Sequence, residues 1–208
     1  MIAKLFIYFV ITAMIGYIYE CIAMTLWSGE WDNRGFLFGP VIPIYGVGCL
    51  AGLYVFGNLL EDYTVLQVFL AGFLASAILE YPTSYIMEKM FHERWWDYSI
   101  APLNIQGRVS VPSSFGFGIG AVLIVYVVNA HIVPIVMDMD IRLARILSVP
   151  LALIFVADVI LSAYYAKKHT SPRSYDRVNA SVGYAVDRIN PKGRSLGGYL
   201  KNNTNFFK

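Results

Sequence analysis

Glu20 and Glu80 are among the carboxylates that interrupt long apolar runs of this 208-residue sequence. A charged side chain near the centre of a membrane helix costs about 2.5–3.5 kcal/mol on insertion scales, so such residues are usually kept for function. A carboxyl group in that position can act as a general acid or base, or it can bind a polar substrate. Glu20 and Glu80 are therefore the candidate catalytic residues.

The stretch between residues 80 and 108 holds most of the other polar candidates. Glu80, Ser84 and Glu88 recur at i,i+4 spacing, which places them on one face of a helix. An arginine suits such carboxylates because its planar fork can donate two hydrogen bonds to one of them. The predicted substrate-binding residues are Glu20, Arg34, Glu80, Tyr81, Glu88, Trp95, Trp96, Asp97, Asn104 and Arg108.

Structural roles are the alternative for several of these side chains. Glu20 and Glu88 could pair with Arg34 and Arg108 as ion pairs that only stabilise the fold. The adjacent rings of Trp95–Trp96 could anchor a loop at the headgroup level, or they could form the wall of a pocket for a ring or a cation. The sequence leaves both readings open.

The elements that must position these residues are membrane helices. Hydrophobic residues make up 57% of the chain and charged residues only 14%, which is typical of a polytopic membrane protein rather than a soluble domain. Runs of about 20 apolar residues are long enough to span a bilayer. We predict an all-α bundle of five transmembrane helices, in apolar runs at residues 4–27, 40–59, 64–88, 112–136 and 146–166.

The distribution of positive charge predicts the orientation. With five spans, thirteen lysines and arginines fall on the side of the C-terminal tail and three on the other side. Basic loops favour the cytoplasm, so we expect the N-terminus outside and the C-terminus inside. Glu88, Arg34, Asp97 and Arg108 would then reach the inner surface, with Glu20 and Glu80 in the inner halves of their helices.

Similar elements recur in the same order in two parts of the chain. Tyr17-Ile18-Tyr19-Glu20 matches Tyr85-Ile86-Met87-Glu88, and Tyr45-Gly46-Val47-Gly48 matches Phe117-Gly118-Ile119-Gly120. Both copies would cross in the same direction, as parallel repeats do. We therefore predict two parallel hairpins, at about residues 1–60 and 69–132, with one additional helix at about 146–166. Helix-packing glycines that recur by chance are the alternative.

Two units follow, a transmembrane bundle at residues 1–168 and a cytoplasmic tail at 169–208. In the tail, apolar residues recur at helical spacing opposite Arg173, Arg177 and Arg188. A basic amphipathic helix of this kind binds the anionic inner leaflet, with docking on a partner protein as the alternative.

The sequence gives little support for metal binding or for ATP binding by this chain itself. His92, His131 and His169 are scattered and do not form a metal-ligand motif. The glycine-rich P-loop pattern G-x-x-x-x-G-K-[ST] is absent from the sequence, so ATP binding of that kind would require a separate polypeptide. We predict no metal, no cofactor and no nucleic-acid partner.

Several short motifs occur together in this sequence. They are Asn33-Arg34-Gly35-Phe36-Leu37, Gly39-Pro40, Pro43-Ile44-Tyr45-Gly46, Glu80-Tyr81, Glu88-Lys89, Trp95-Trp96-Asp97-Tyr98-Ser99 and Asn104-Ile105-Gln106-Gly107-Arg108. In combination they resemble the ABC-transporter type IV family, whose members are described as permease-like. The resemblance covers about residues 12–125 and implies a small, multi-spanning bacterial membrane protein.

We accordingly expect a multi-pass cell-membrane protein with an inward-facing polar cavity, a transporter component rather than an enzyme. Its expected partners are membrane lipid and either a separate ATPase subunit or further copies of the chain. The alternatives are an intramembrane enzyme that acts on a lipid-soluble substrate, and a non-catalytic membrane scaffold.

Overall fold

The computed structural model describes residues 1–28, 35–59, 62–92 and 94–167. Their architecture is helical except for one short hairpin of two strands. The predicted tail at 169–208 lies outside the described residues. The elements are α1 (Ile2–Ser28), α2 (Pro43–Tyr54), α3 (Val65–Phe91), β1 (Asn104–Ile105), β2 (Val109–Ser110), α4 (Val111–Leu123), α5 (Asn129–Met137) and α6 (Ile141–Lys167).

Within the described ranges, four helical segments are long and apolar enough to cross a membrane. They are Ile2–Ala23, Val65–Phe91, Val111–Met137 and Ile141–Lys167, the third of which runs from α4 into α5 without a break. Each 27-residue segment is about 40 Å long, which exceeds the roughly 30 Å hydrocarbon core of a bilayer. The remaining predicted span is the shorter apolar helix Pro43–Gly57. The helical membrane architecture is thus confirmed, and five crossings remain a prediction.

Local sequence explains where the helices begin. Thr64 and Ser110 precede α3 and α4, and each forms a capping box with the residue three positions later, Gln67 and Ser113 respectively. These pairs satisfy N–H groups that the first turn of a helix leaves without partners. Pro43 begins α2 at a position where its missing N–H costs little.

A π-helical turn ends the regular part of α2 and another ends α4. The turns are Val55–Leu59 and Ile124–Val128. Such turns insert one extra residue in a helix and are frequent at functional sites. Each turn therefore changes the phase of the helix in which it lies.

Helix pairs α1–α2 and α3–α4 are closely packed at glycines. A Cβ atom added to Gly46 would lie 2.5 Å from a ring carbon of Phe9, and one added to Gly118 would lie 2.6 Å from a ring carbon of Phe69. The absence of a side chain lets the two backbones approach. By contrast, a Cβ atom at Gly52, Gly116 or Gly120 would meet nothing within 4 Å. These three glycines also have the spacing of helix-packing positions, but the surface beside them is open in the described structure.

A small core lies at the end of the bundle that holds the N-terminus. Tyr8 is fully buried there, and its hydroxyl donates to Asn129 Oδ1 at 2.7 Å. The ammonium group of Lys4 donates to the Met137 carbonyl at 2.5 Å. The start of α1 and the end of α5 are therefore at the same end of the bundle, and α6 turns back from there.

Candidate functional site

The hairpin between α3 and α4 positions the arginine of the predicted site. Ile105 pairs with Val109 in the antiparallel ladder, and the Arg108 N–H donates to the Ile105 carbonyl at 3.0 Å. Gln106 and Gly107 between them both have positive φ, as in a type I′ turn. This tight turn directs Arg108 back toward α3.

Arg108 is 6% exposed and is bound to one face of α3. Its Nη2 lies 2.5 Å from Glu88 Oε2, and its Nη1 donates to Ser84 Oγ at 3.2 Å. The guanidinium also lies 5.7 Å and 5.3 Å from the ring centroids of Tyr81 and Tyr85. Aromatic faces attract a cation, so the rings add to the binding of the charge. Among the described residues, the buried Nε atom has no hydrogen-bond partner.

A second arginine joins the same carboxylate to the hairpin. Arg94 Nε lies 3.2 Å from Glu88 Oε2, and Arg94 Nη1 donates to the Gln106 carbonyl at 3.2 Å. The Trp96 ring nitrogen donates to the Arg108 carbonyl at 2.9 Å. Residues 94–96 thereby hold the hairpin against the end of α3.

The other polar residues of this loop mainly stabilise the loop itself. Asp97 accepts from the Ser99 backbone N–H at 2.9 Å and also bonds the Ser99 hydroxyl. Asn104 donates to the Ala101 carbonyl at 2.9 Å and accepts from the Gly107 N–H at 2.9 Å. These hydrogen bonds are those of a turn, and Asp97 Oδ1 also lies 3.8 Å from Arg94 Nη1.

Glu80 lies deeper along the same face of α3 and is 3% exposed. Its Oε2 accepts one long hydrogen bond, 3.4 Å from Ser113 Oγ, and its buried Oε1 has no partner among the described residues. One turn further along, Ser76 donates to Ser114 at 2.6 Å. A carboxyl group buried with so few hydrogen bonds is costly to the fold.

These residues form one polar line between α3 and α4, which we call the α3 polar face. Its members on α3 are spaced four residues apart and are Ser76, Glu80, Ser84 and Glu88. Each of them contacts a polar group of the hairpin or of α4. The face spans twelve residues, or about 18 Å along the helix axis.

Glu20 approaches this face from α1. It is partly buried, and its charge lies close enough to Glu80 and to Tyr45 to interact with both. The Tyr45 ring stacks on Phe117, with centroids 5.6 Å apart and planes 11° apart. Gly16 lies against the same tyrosine ring. Tyr45 of α2 therefore contacts both α1, at Gly16, and α4, at Phe117.

Of the predicted tryptophans and arginines, the structure describes Trp95, Trp96 and Arg108 but not Arg34. Trp95 packs against Phe36 and Phe91, with centroids 5.2 Å and 5.4 Å apart. It thereby joins the segment before α2 to the end of α3. Arg34, the other predicted arginine, lies outside the described residues, so its predicted role stays a prediction.

Sequence reasoning did not find the contact that Asp158 makes from α6. Its carboxylate accepts from the backbone N–H groups of Phe38 at 2.9 Å and Gly39 at 2.8 Å. Ser162, one turn later, also donates to it, at 3.0 Å. The position of Asp158 inside an apolar run is a signal of an important role, but it does not reveal a backbone partner 119 residues away.

An apolar groove of about 450 Å³ lies away from these charges, near the beginning of α3. Its lining contains no polar side chain, so it suits a lipid chain better than a polar solute. The lining residues are Val65, Leu66, Phe69, Ile119, Val122 and Leu123.

Long apolar helices with buried charged and polar groups between them are the features of a multi-pass helical membrane protein. The family described as "Putative ABC-transporter type IV" matches residues 7–163, which is most of the chain. The chain belongs to that family, as the motifs at residues 33–46 and 80–108 predicted. No curated protein and no solved structure matched it significantly.

Proposed function

We propose that this chain is the membrane-spanning subunit of an ABC-type transporter and that a polar solute passes along the α3 polar face. The family to which the chain belongs supports this class of function. Because the sequence contains no P-loop, we assign ATP hydrolysis to a separate polypeptide. The chain would reside in the cell membrane, with its N-terminus outside and its C-terminus in the cytoplasm.

The observation that carries the proposal is that two buried atoms, Glu80 Oε1 and Arg108 Nε, have no hydrogen-bond partner in the part of the chain that the structure describes. Replacing buried charged groups by apolar residues is often neutral or stabilising, so charged groups that each leave one buried atom without a hydrogen bond are poor choices for stability alone. Between them, Ser84 lies one turn from Glu80 and contacts Arg108. A solute with both hydrogen-bond donors and acceptors would supply the missing hydrogen bonds to Glu80 Oε1 and Arg108 Nε as it passes.

The α3 helix is weakened at the turn where the solute would bind. Pro82 lies between Glu80 and Ser84 and has no N–H to bond the carbonyl four residues earlier. Helix breaks at proline are common in membrane helices that change conformation, because neighbouring groups re-satisfy the freed carbonyl. We propose that α3 bends here to open the polar face toward the cytoplasm.

Charge supports a cytoplasmic opening. Arg94 and Arg108 lie at the same end of α3, and both contact Glu88. Positive residues near membrane surfaces mark the cytoplasmic side, and thirteen of the sixteen lysines and arginines fall on this side in the five-span topology. The hairpin at residues 104–110 would then cover the inner mouth of the path.

The test is whether ATPase activity depends on this subunit and its buried carboxyl group. The tagged chain would be purified from its native membranes together with its bound partners, and ATP hydrolysis would be measured in lipid nanodiscs. We expect the wild-type complex to hydrolyse ATP and Glu80→Gln to change the rate at equal subunit content. Asp138→Asn, an exposed carboxylate in the turn before α6, is the matched control. A complex without ATPase activity would contradict the proposal.

A further inference from the structure

The loop between α3 and α4, residues 94–110, folds back along α3. At the tip of its hairpin, Gln106 accepts a hydrogen bond from the Tyr81 hydroxyl at 2.8 Å. Tyr81 precedes Phe91, the last residue of α3, by ten positions, which is about 15 Å along the helix axis. The beginning of α4 lies at least as far from that end, because Ser76 of α3 donates to Ser114 at 2.6 Å.

The length of α3 indicates how deep the hairpin lies. The helix has 27 residues and is about 10 Å longer than the roughly 30 Å hydrocarbon core of a bilayer. Even if all of this excess projects from the end at Phe91, the level of Tyr81 is about 5 Å inside the core for a helix near the membrane normal. Non-helical backbone is tolerated at such a depth only where the protein supplies its hydrogen bonds.

The backbone of the hairpin meets this requirement. The carbonyl groups of residues 105–108 are consecutive, and each of them accepts a hydrogen bond from within the loop. Water satisfies the carbonyl groups of an ordinary surface loop, whereas a loop in lipid needs partners in the protein. The four donors are, in order, the Arg108 N–H, the Arg94 guanidinium, the Tyr98 N–H and the Trp96 ring nitrogen.

The side chain of Asn104 satisfies the turn before the hairpin in the same way. It donates to the carbonyl groups of Ser99 at 3.1 Å and Ala101 at 2.9 Å, and it accepts from the Gly107 N–H at 2.9 Å. One amide side chain thus replaces water at three backbone groups. The polar atoms of the loop are directed inward, as an apolar environment requires.

Large apolar side chains of the same loop are directed outward. Leu103 is 79% exposed and Ile105 is 54% exposed. Leu103 also has a φ of +51°, which residues other than glycine rarely adopt. The exposed apolar surface continues into the membrane helix that follows, at Val111 and Phe115 of α4. Exposed apolar surface of this kind marks contact with a membrane or with another protein.

We propose that the loop at residues 94–110 is a re-entrant element and that Leu103 and Ile105 insert among the acyl chains of the bilayer. In the predicted topology these chains belong to the inner leaflet. Lipid fits better than a cytoplasmic protein, because the exposed patch continues onto α4 and the hairpin tip lies well before the end of α3. The loop would separate the buried Arg108 from lipid. The proposal concerns placement in the membrane and does not rest on transport.

Fluorescence quenching of the full chain in lipid nanodiscs tests this placement. In a chain whose native cysteines have been replaced, Leu103→Cys and Ile105→Cys would each carry an environment-sensitive fluorophore. A lipid with a nitroxide near the headgroup end of its acyl chain should quench both labels, and iodide in the buffer should not. Ile78→Cys, on the exposed apolar surface of α3, is the control for lipid, and Asp138→Cys, in an exposed turn, is the control for water.

The proposal requires lipid quenching at both positions of the loop. Iodide quenching as strong as at Asp138→Cys, without lipid quenching, would place the loop in water and overturn it. Protection from both quenchers would overturn it as well, since the tail, a second copy or another subunit would then cover the loop. Thermal unfolding verifies that each labelled variant is folded, and Ile100→Cys, also exposed, replaces one that is not.

The measurement uses neither ATP nor solute, so its failure would leave the transport proposal standing. A complex without ATPase activity would likewise leave the position of the loop unchanged.

Discussion

Arg108 Nη2 lies 2.5 Å from Glu88 Oε2 and joins the β-hairpin to the end of α3 across twenty positions of sequence. Arg108 is almost fully buried, whereas the Glu88 side chain is 32% exposed. The contact also fixes the hairpin over the buried serine and glutamate that precede Glu88 on the helix. It therefore links the stability of the fold to access to the α3 polar face.

Arg108→Ala should lower the free energy of unfolding by about 1–3 kcal/mol, because Ser84 and part of Glu88 lose their partner. In a chain of this length, that corresponds to a drop of several degrees in Tm, measured by thermal unfolding in detergent. Arg108→Lys should not restore the wild-type Tm, since an ammonium group lacks the planar fork that reaches both partners. Arg145→Ala, at an exposed position of α6, is the control, and an equal loss there would refute a specific role.

Alanine at Gly46 or Gly118 should destabilise the bundle, because the new methyl group would overlap Phe9 or Phe69. Overpacking of this kind typically costs about 1–3 kcal/mol. The same substitution at Gly116 or Gly120 should be neutral or slightly stabilising, since the new methyl group meets open space. Thermal unfolding of the four variants checks the prediction, and similar losses in all four would contradict it.

Asp158→Ala should release the segment before α2 from α6, because two backbone N–H groups lose their acceptor. A hydrogen bond to a charged group contributes about 1.5–3 kcal/mol, and less where the donor is exposed, as that of Phe38 is. Gly39→Ala should have the same effect, since its Cβ would lie 2.8 Å from the carboxylate oxygen. Limited proteolysis of the chain in nanodiscs should cut both variants faster near residue 38. Gly52→Ala, which meets nothing within 4 Å, should be cut at the wild-type rate.

The predicted topology places Lys4 outside and Lys201 inside. Single cysteines at these two positions, in a chain without its two native cysteines, should therefore react with a membrane-impermeant reagent from opposite sides. Intact cells and inverted membrane vesicles provide the two sides. Labelling of both positions from the same side would exclude an odd number of crossings.

The apolar runs of the sequence were sufficient to locate the helices. The positions of the charged residues indicated the end of the bundle at which most of them lie. The i,i+4 spacing also predicted that Glu80, Ser84 and Glu88 share a face, and the contacts of Arg108 follow from that face. The rotation of each helix about its own axis could not be predicted, because apolar residues lie on every face of the predicted spans. For this reason the stacking of Tyr45 on Phe117 was missed.

The sequence also could not predict which backbone groups a side chain binds. The carboxylate of Asp158 binds N–H groups that every residue except proline possesses, so no residue type marks its partner. Gly116 and Gly120 have the spacing of helix-packing glycines, but spacing cannot show whether the facing surface belongs to the same chain. Contacts of this kind depend on how the helices are arranged in space rather than on local pattern.

The accessibility of the α3 polar face to water tests the central claim most directly. Ser84 is 3% exposed and Ile78, on the same helix, is 71% exposed, but in a membrane the isoleucine faces lipid. In a chain whose native cysteines have been replaced, Ser84→Cys should react with a charged thiol reagent added from the cytoplasmic side, and Ile78→Cys should not react. A polar path that opens during transport predicts this result. Reaction of Ile78→Cys with no reaction of Ser84→Cys would contradict it.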